Sequence, residues 1–482
     1  MLFNSIDFAI FLPIVFILYW FVFYKNISHQ NLLITLSSYV FYGWWDWRFL
    51  SLIAFSTGVD YIVGNQLSKS NNSNHRKALL LTSIIVNLGL LGFFKYYNFF
   101  LENFIEAFSF FGYSIKSNSL NIILPVGISF YTFQTLSYTI DVYKRKMRPT
   151  EDIIAFAAFV SFFPQLVAGP IERATNLLPQ FYKKRTFNHH KAVDGMRQIL
   201  WGLFKKIVIA DNCSVFANQI FNNYHDYSGS TLVLGAIFFA FQIYGDFSGY
   251  SDIAIGTARL FGFNLMQNFA FPYFSRDIAE FWRRWHISLS TWFRDYLYIP
   301  LGGSKGTNYL KIRNVFIIFL VSGFWHGSNW TFIVWGGLNA LYFLPIMLLN
   351  KNRINTDIVA QGKYLPSARE IFSMILTFSL TTIAWIFFRA EDMHHAISYL
   401  FNIIHPSILT FPELIAPKLE MIYTLLCILI LLLFEWINRD KIHALDVANY
   451  NKPNRWILYF IIIIMIITFG AFNHNSFIYF QF

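Results

Sequence analysis

Long apolar runs separated by short polar segments dominate the chain. Met421–Trp436 reads MIYTLLCILILLLFEW and Trp456–Phe472 reads WILYFIIIIMIITFGAF. Such runs do not alternate with period two, so they predict helices and argue against the strands of a membrane barrel. A helix that crosses a bilayer needs about 20 apolar residues. Candidate spans are Phe8–Tyr24, Asn31–Tyr42, Phe49–Leu67, Ala78–Phe100, the Leu124–Val142 region, Ile153–Val167, Met196–Ala210 and Thr231–Phe261. They continue with Ile312–Trp325, Trp330–Leu349, Ile371–Phe388, Met421–Trp436 and Trp456–Phe472. The expected fold is an all-α polytopic membrane protein, with about eleven transmembrane helices plus re-entrant or interfacial ones. No Gly/Ser-rich or Pro-rich linker and no clear internal repeat divides the sequence, so residues 1–482 read as a single membrane domain. No Lys or Arg precedes Lys25, and the first run reads as a retained span.

The middle third is less regular. Pro125, Pro164, Pro170, Pro272 and Pro300 interrupt helical patterns, as do Gly302–Gly303 and Gly336–Gly337. Broken backbone at membrane depth needs protein or a water-filled cavity to satisfy its freed N–H and C=O groups. A cavity-lining core and ordinary interfacial loops both fit these breaks. The stretch Asp277–Tyr298 is amphipathic, with Phe281, Trp285, Leu289 and Trp292 at helical spacing and Arg283, Arg284 and Arg294 supplying charge. An interfacial or re-entrant helix is expected there.

Composition excludes several classes. Hydrophobic residues make up 56% and charged residues 13%, against about 25% charged in a soluble domain. A soluble enzyme, a disordered chain and a nucleic-acid-binding domain are therefore disfavoured. The net charge of +11 reads as cytoplasmic loops obeying the positive-inside rule. Basic clusters at Lys69–Lys77, Lys144–Arg148, Lys183–Lys191 and Arg276–Arg294 would also attract an anionic cytosolic donor such as a coenzyme phosphate. Only Cys213 and Cys427 are present, so no disulfide scaffold or Cys-ligated metal site is expected.

Among twelve histidines, ten, such as His75, His189, His190, His394 and His395, lie in polar or loop-like segments and read as solvated. His326, in SGFWHGSNW, and His286, in the Trp-rich amphipathic stretch, stand apart. An ionisable group within a membrane is costly and usually faces a cavity or a partner. Desolvation favours neutral imidazole, which can act as a general base. A packed His donating to a backbone carbonyl fits His326 too, and an interfacial side chain fits His286. Forty residues separate the two, so only tertiary folding could bring them together. Asp246, Asp252, Asp277 and Glu280 show no metal-ligand spacing, and no metal is expected. Asp246, Ser248 and Asp252 could line a path or hydrogen-bond between helices, the packing role being favoured.

These segments resemble the membrane-bound O-acyltransferase superfamily, and more closely its alginate O-acetylation branch. The resemblance covers nearly the whole chain through FNSIDFAIF, ILPVGISFYTFQTLSYTIDVYK, FFPQLVAGPIE, YGDFSGYSDIAIGTARLFG, FWRRWHISLSTWFRDYLYIPLGG, SGFWHGSNWTFIVWG and the tail Phe477–Phe482, FIYFQF. It implies a cytoplasmic-membrane enzyme passing an acyl group from a cytosolic thioester, commonly acetyl-CoA, through a funnel to an acceptor on the far side. No permanently bound cofactor is implied. His326 matches the family's catalytic histidine and His286 its second histidine. Both are carried over as catalytic candidates, His326 as the general base. For the oxyanion, Asn329, Trp325 and backbone N–H groups near Gly327 are candidates. The resemblance further implies O-acetylation of an extracytoplasmic polysaccharide, alginate-like or peptidoglycan, through a partner acetyltransferase. The alternatives are D-alanyl or other acyl transfer to an envelope polymer, and a membrane transporter. A glycosyltransferase would lean on early acidic residues such as Asp46 or Asp60.

Overall fold

The computed structural model describes residues 1–110, 120, 122–472 and 477–478. No strand occurs among them. They form two compact units, one of residues 1–192 with 257–265 and one of residues 193–256 with 266–482.

In the first unit the opening apolar run forms the helix Ile6–Ile17, extended by a π turn over Leu18–Val22. Ser5 starts it, its Oγ accepting from the Phe8 N–H at 3.2 Å. Ile6, Ile10, Ile14, Ile17 and Phe21 remain exposed along it, a stripe suited to lipid. Helices Ile27–Asp46, Leu50–Lys69 and Ser73–Leu91 follow, and Ile128–Tyr143 is buried along almost its whole length. The last carries Gln134, Thr135 and Thr139, so the unit must satisfy polar groups internally. It does so around Asp60, which accepts from Ser83 Oγ at 2.5 Å, Asn87 Nδ2 at 2.9 Å and Thr139 Oγ1 at 3.1 Å. Arg76 donates to the Tyr143 carbonyl at 2.7 Å, closing the helix end where its carbonyls and dipole favour a cation. Asp60 is thus a buried packing acceptor. Asp46 caps a short turn and pairs with exposed Arg48 at 2.6 Å.

The second unit is built on Gly229–Leu260, whose apolar stretch is 83% buried, whereas that of Lys452–Phe469 is 11% buried. The first is packed in protein, and the second leaves most of its isoleucines, Ile462 excepted, to be covered by lipid. Ala368–Arg389, Met393–Ile404 and Lys418–Ile437 complete the longer elements around the site. Six described helices are long and apolar enough to cross a membrane: Ser73–Phe110, Gly229–Leu260, Trp330–Leu348, Ala368–Arg389, Lys418–Ile437 and Lys452–Phe469. Other expected spans, such as Ile128–Tyr143, are helices but shorter or more polar.

Two expectations are corrected. Asp277–Tyr298 is not one helix. It divides into Ile278–Arg284, Ile287–Phe293 and a π turn, Arg294–Tyr298, because His286 sits at φ 44°, ψ 53°. That left-handed conformation ends any right-handed helix. Gly336–Gly337 does not interrupt a helix either. Both lie inside Trp330–Leu348, where Gly336 permits close packing. Gly302 and Gly303, at φ 103° and 60°, do form a turn.

Candidate active site

His326 closes the helix Asn308–His326, which pairs with Trp330–Leu348 as a tight hairpin. Two glycines allow that closeness. A Cβ at Gly323 would lie 2.2 Å from the Phe332 carbonyl oxygen, and one at Gly336 2.3 Å from that of Phe319. The turn is short because Asn329 caps the second helix, its Oδ1 accepting from the Thr331 N–H at 3.0 Å. His326 is 4% exposed. Its ring meets Trp325, Trp335 and Phe388 at centroid distances of 4.9, 5.1 and 5.3 Å. At a helix C-terminus, the partial negative charge of the last carbonyls favours a cation.

His286 lies between the two short helices and is 1% exposed. Asn268 fixes it. The amide Oδ1 of Asn268 accepts from the Ser288 N–H at 3.3 Å and Ser288 Oγ at 2.8 Å, while its Nδ2 donates to Ser251 Oγ at 3.1 Å. The backbone N–H can only donate, which settles the amide orientation. His286 Nδ1, 3.1 Å from the same oxygen, therefore carries the proton and donates. Nε2 keeps its lone pair, and among the described residues nothing hydrogen-bonds to it. Burial lowers the His286 pKa below the ordinary imidazole value. Its ring stands edge-on to Phe247 at 4.6 Å and lies 6.1 Å from Trp325. Trp325 thus borders both histidines, which the fold brings to one aromatic site.

Trp285, Trp335 and Trp385 continue this wall, with Trp385 5.0 Å from Trp285 and 5.7 Å from Trp335. Trp282 packs on Trp335 at 5.8 Å. The oxyanion candidates fare differently. Asn329 is spent on Thr331 and on the Glu391 carbonyl, 2.7 Å from its Nδ2. The Gly327 N–H bonds back to the Gly323 carbonyl at 3.4 Å.

Asp246, Ser248 and Asp252 lie within the helix Gly229–Leu260 and bond across to another element, in keeping with the packing role favoured for them. Sequence reading missed their partners, Lys205 and Lys206, on the π turn Phe204–Ala210. Lys206 Nζ is 2.8 Å from both Asp211 and Asp246, and Lys205 Nζ is 2.6 Å from Asp252 and 2.9 Å from Ser248 Oγ. Asp246 also accepts from the Ile478 N–H at 2.6 Å. This places Phe477 against Tyr250, 4.7 Å between ring centroids. Residues 479–482 of the FIYFQF tail lie outside the described residues.

A cavity of about 560 Å³ runs along the helix Asn308–His326. Arg294, Lys311 and Arg353 line it, as do Trp282, Phe319 and Ser322. Ser322 is four residues before His326, hence on the same helix face.

Several histidines read as solvated prove structural. His395 is on the helix Met393–Ile404, 8% exposed, and stacks on Tyr224 at 4.8 Å. His443 is 2% exposed, with Nε2 3.1 Å from Asp194. His75, His189 and His190 lie in first helical turns and are exposed, as read, and His474 is outside the described residues. No group of three or more His, Cys, Asp or Glu suited to a metal occurs among the described residues.

Comparison with known proteins identifies the chemistry. Residues 148–384 match the membrane-bound O-acyltransferase family. The chain is 40% identical over 398 residues to a probable alginate O-acetylase of Pseudomonas aeruginosa, covering 82% of this chain and 73% of that protein. It is 36% identical over 429 residues to a peptidoglycan O-acetyltransferase of Helicobacter pylori, covering 83% and 79%. A teichoic acid D-alanyltransferase of Bacillus subtilis is 27% identical over 289 residues, covering 57% and 71%. With its apolar helices and two buried histidines on one aromatic wall, the chain belongs to the membrane-bound O-acyltransferase family and is a multi-pass membrane acyltransferase.

Proposed function

We propose that this enzyme transfers an acetyl group from acetyl-CoA at the cytoplasmic membrane, towards O-acetylation of an extracytoplasmic polysaccharide through a partner acetyltransferase. The observation that carries the donor side is the cavity beside the helix Asn308–His326. Arg294 (paired with Asp295), Lys311 and Arg353 line it, and Ser322 brings its wall to within one helical turn of His326. From Lys311 to Ser322 the helix rises about 16 Å, a length suited to a long thioester arm with phosphates at the basic residues. The acceptor side rests on relatives whose names specify alginate and peptidoglycan O-acetylation.

In the proposed reaction an acceptor hydroxyl oxygen attacks the thioester carbonyl carbon. His326 takes the hydroxyl proton as the new C–O bond forms. The C–S bond then breaks, and the leaving thiolate receives the proton. A positioned base of this kind contributes about 10²–10⁴-fold. His286, with Nδ1–H held by Asn268 and Nε2 open as an acceptor, would orient the hydroxyl or the thioester.

The donor is tested with purified enzyme in proteoliposomes offered labelled acetyl-CoA or a carrier-bound D-alanyl thioester. Acetyl-CoA is expected to be consumed in the presence of acceptor. Reversing the charges with Lys311→Glu and Arg353→Glu should raise KM for acetyl-CoA about tenfold or more, leaving kcat within a few-fold. Consumption of the D-alanyl donor alone would refute the acetyl reading, and an unchanged KM would refute the placement of the donor.

A further inference from the structure

The first unit holds a second cavity, of about 300 Å³, which the acyl-transfer reading does not use. Lys183, Lys184, Arg185, Lys191, Arg259 and Trp20 line it, and no acidic residue does. The geometry points to a binding site here for the phosphate headgroup of an anionic phospholipid.

Arg185 carries the argument. It is only 7% exposed, and a buried cation needs a counterion or several acceptors. Its partners are neutral: Nη2 donates to Asn31 Oδ1 at 2.7 Å and to Gln30 Oε1 at 3.3 Å, and the guanidinium lies 5.0 Å from the Phe263 ring centroid. Among the described residues no carboxylate pairs with Arg185, Lys183, Lys184 or Lys191. Self-repulsion within such a cluster is relieved by an anion, and a phosphate offers several acceptor oxygens to it. The helix His189–Leu203 also begins at this cavity, with Asn188 as its cap, adding the positive end of its dipole.

The surroundings favour a lipid over a soluble phosphate. Trp20 belongs to the first apolar helix and its π turn, whose exposed Ile14, Ile17 and Phe21 suit acyl chains. Phe187, half exposed, packs on Trp20 at 5.6 Å and on Phe16 at 6.0 Å. Basic cavity and apolar flank stand side by side, as an anchored headgroup with its tails requires. Trp20 is fixed there by its indole N–H, which donates to the Leu260 carbonyl at 2.9 Å.

Native mass spectrometry of the full-length protein tests this, with phosphatidylglycerol, phosphatidylcholine, inorganic phosphate and CoA as separate probes. The wild type is expected to retain phosphatidylglycerol at least tenfold more than phosphatidylcholine. Neither inorganic phosphate nor CoA should displace it. Lys183→Glu combined with Lys184→Glu and Lys191→Glu should abolish the preference, and the corresponding Arg substitutions should keep it. Equal retention of both lipids, retention unchanged by the Glu substitutions, or displacement by CoA or phosphate would overturn the proposal. Should the Glu variant not be recovered folded, the wild-type selectivity decides alone.

Discussion

At the scale of single residues, the two histidines stand out in the sequence because His326 is flanked by glycine and aromatic residues and His286 lies in a Trp-rich stretch. What holds His286 was not legible. Asn268 stands in an irregular segment with no periodic pattern, eighteen residues away in the chain, and only the fold shows it as the acceptor that sets the tautomer. Asn268→Ala removes that acceptor from His286 and from two Ser288 donors, and leaving buried donors unmet costs about 1–3 kcal/mol. A lower melting temperature and a loss of transfer exceeding the loss of folded protein are expected, measured by thermal unfolding and by initial rates. The pH dependence has a definite sign. Burial lowers the His286 pKa in the folded state, so below about pH 6.5 the unfolded chain binds a proton that the folded chain does not. Stability from this group is present above that value and is lost as pH falls through it. Unfolding measured from pH 8 to pH 5 should show a shallower acid loss in His286→Gln; an unaltered slope would count against a neutral buried imidazole.

At the scale of elements, apolar runs located most helices, because a span must be continuously apolar whatever surrounds it. The break at His286 escaped notice, since helical spacing of Phe281, Trp285, Leu289 and Trp292 persists across a residue whose backbone is left-handed. All four are buried, so the pattern reported burial correctly and continuity wrongly. Helices Asp211–Asn222 and Met393–Ile404 were also passed over, being too short and too polar to read as spans. The paired glycines invite a direct comparison. At Gly337 an added Cβ would meet only Leu320 Cδ2 at 3.9 Å, whereas at Gly336 it would lie 2.3 Å from a backbone oxygen. Gly337→Ala should therefore be neutral or stabilising by up to about 1 kcal/mol. Gly336→Ala should destabilise by about 1–3 kcal/mol and reduce transfer by displacing adjacent Trp335 from His326. Paired melting curves and rates check both; equal behaviour of the two variants would refute the close hairpin.

For the molecule as a whole, charge has three roles that composition alone could not separate. Exposed basic residues are compatible with topology and anion attraction. A second set, Lys205 and Lys206 with Asp211, Asp246 and Asp252, is buried and holds helices and tail together in the second unit. The sequence showed Asp246 and Asp252 amid apolar residues but not their partners, because ion pairing across 40 or 47 positions has no local signature. Lys206→Met should destabilise by about 3–5 kcal/mol by leaving two carboxylates without their cation, and adding Asp211→Asn with Asp246→Asn should recover much of that loss in urea titration. The third role, the one proposed for catalysis, belongs to neutral groups that would become charged in the reaction, His326 above all. It is tested most directly by quantifying O-acetyl groups on the cell-envelope polymers of cells carrying His326→Ala, with the variant's abundance in the membrane measured alongside. The account predicts a fall of about 10²-fold or more at wild-type abundance; O-acetylation persisting at the wild-type level would contradict it.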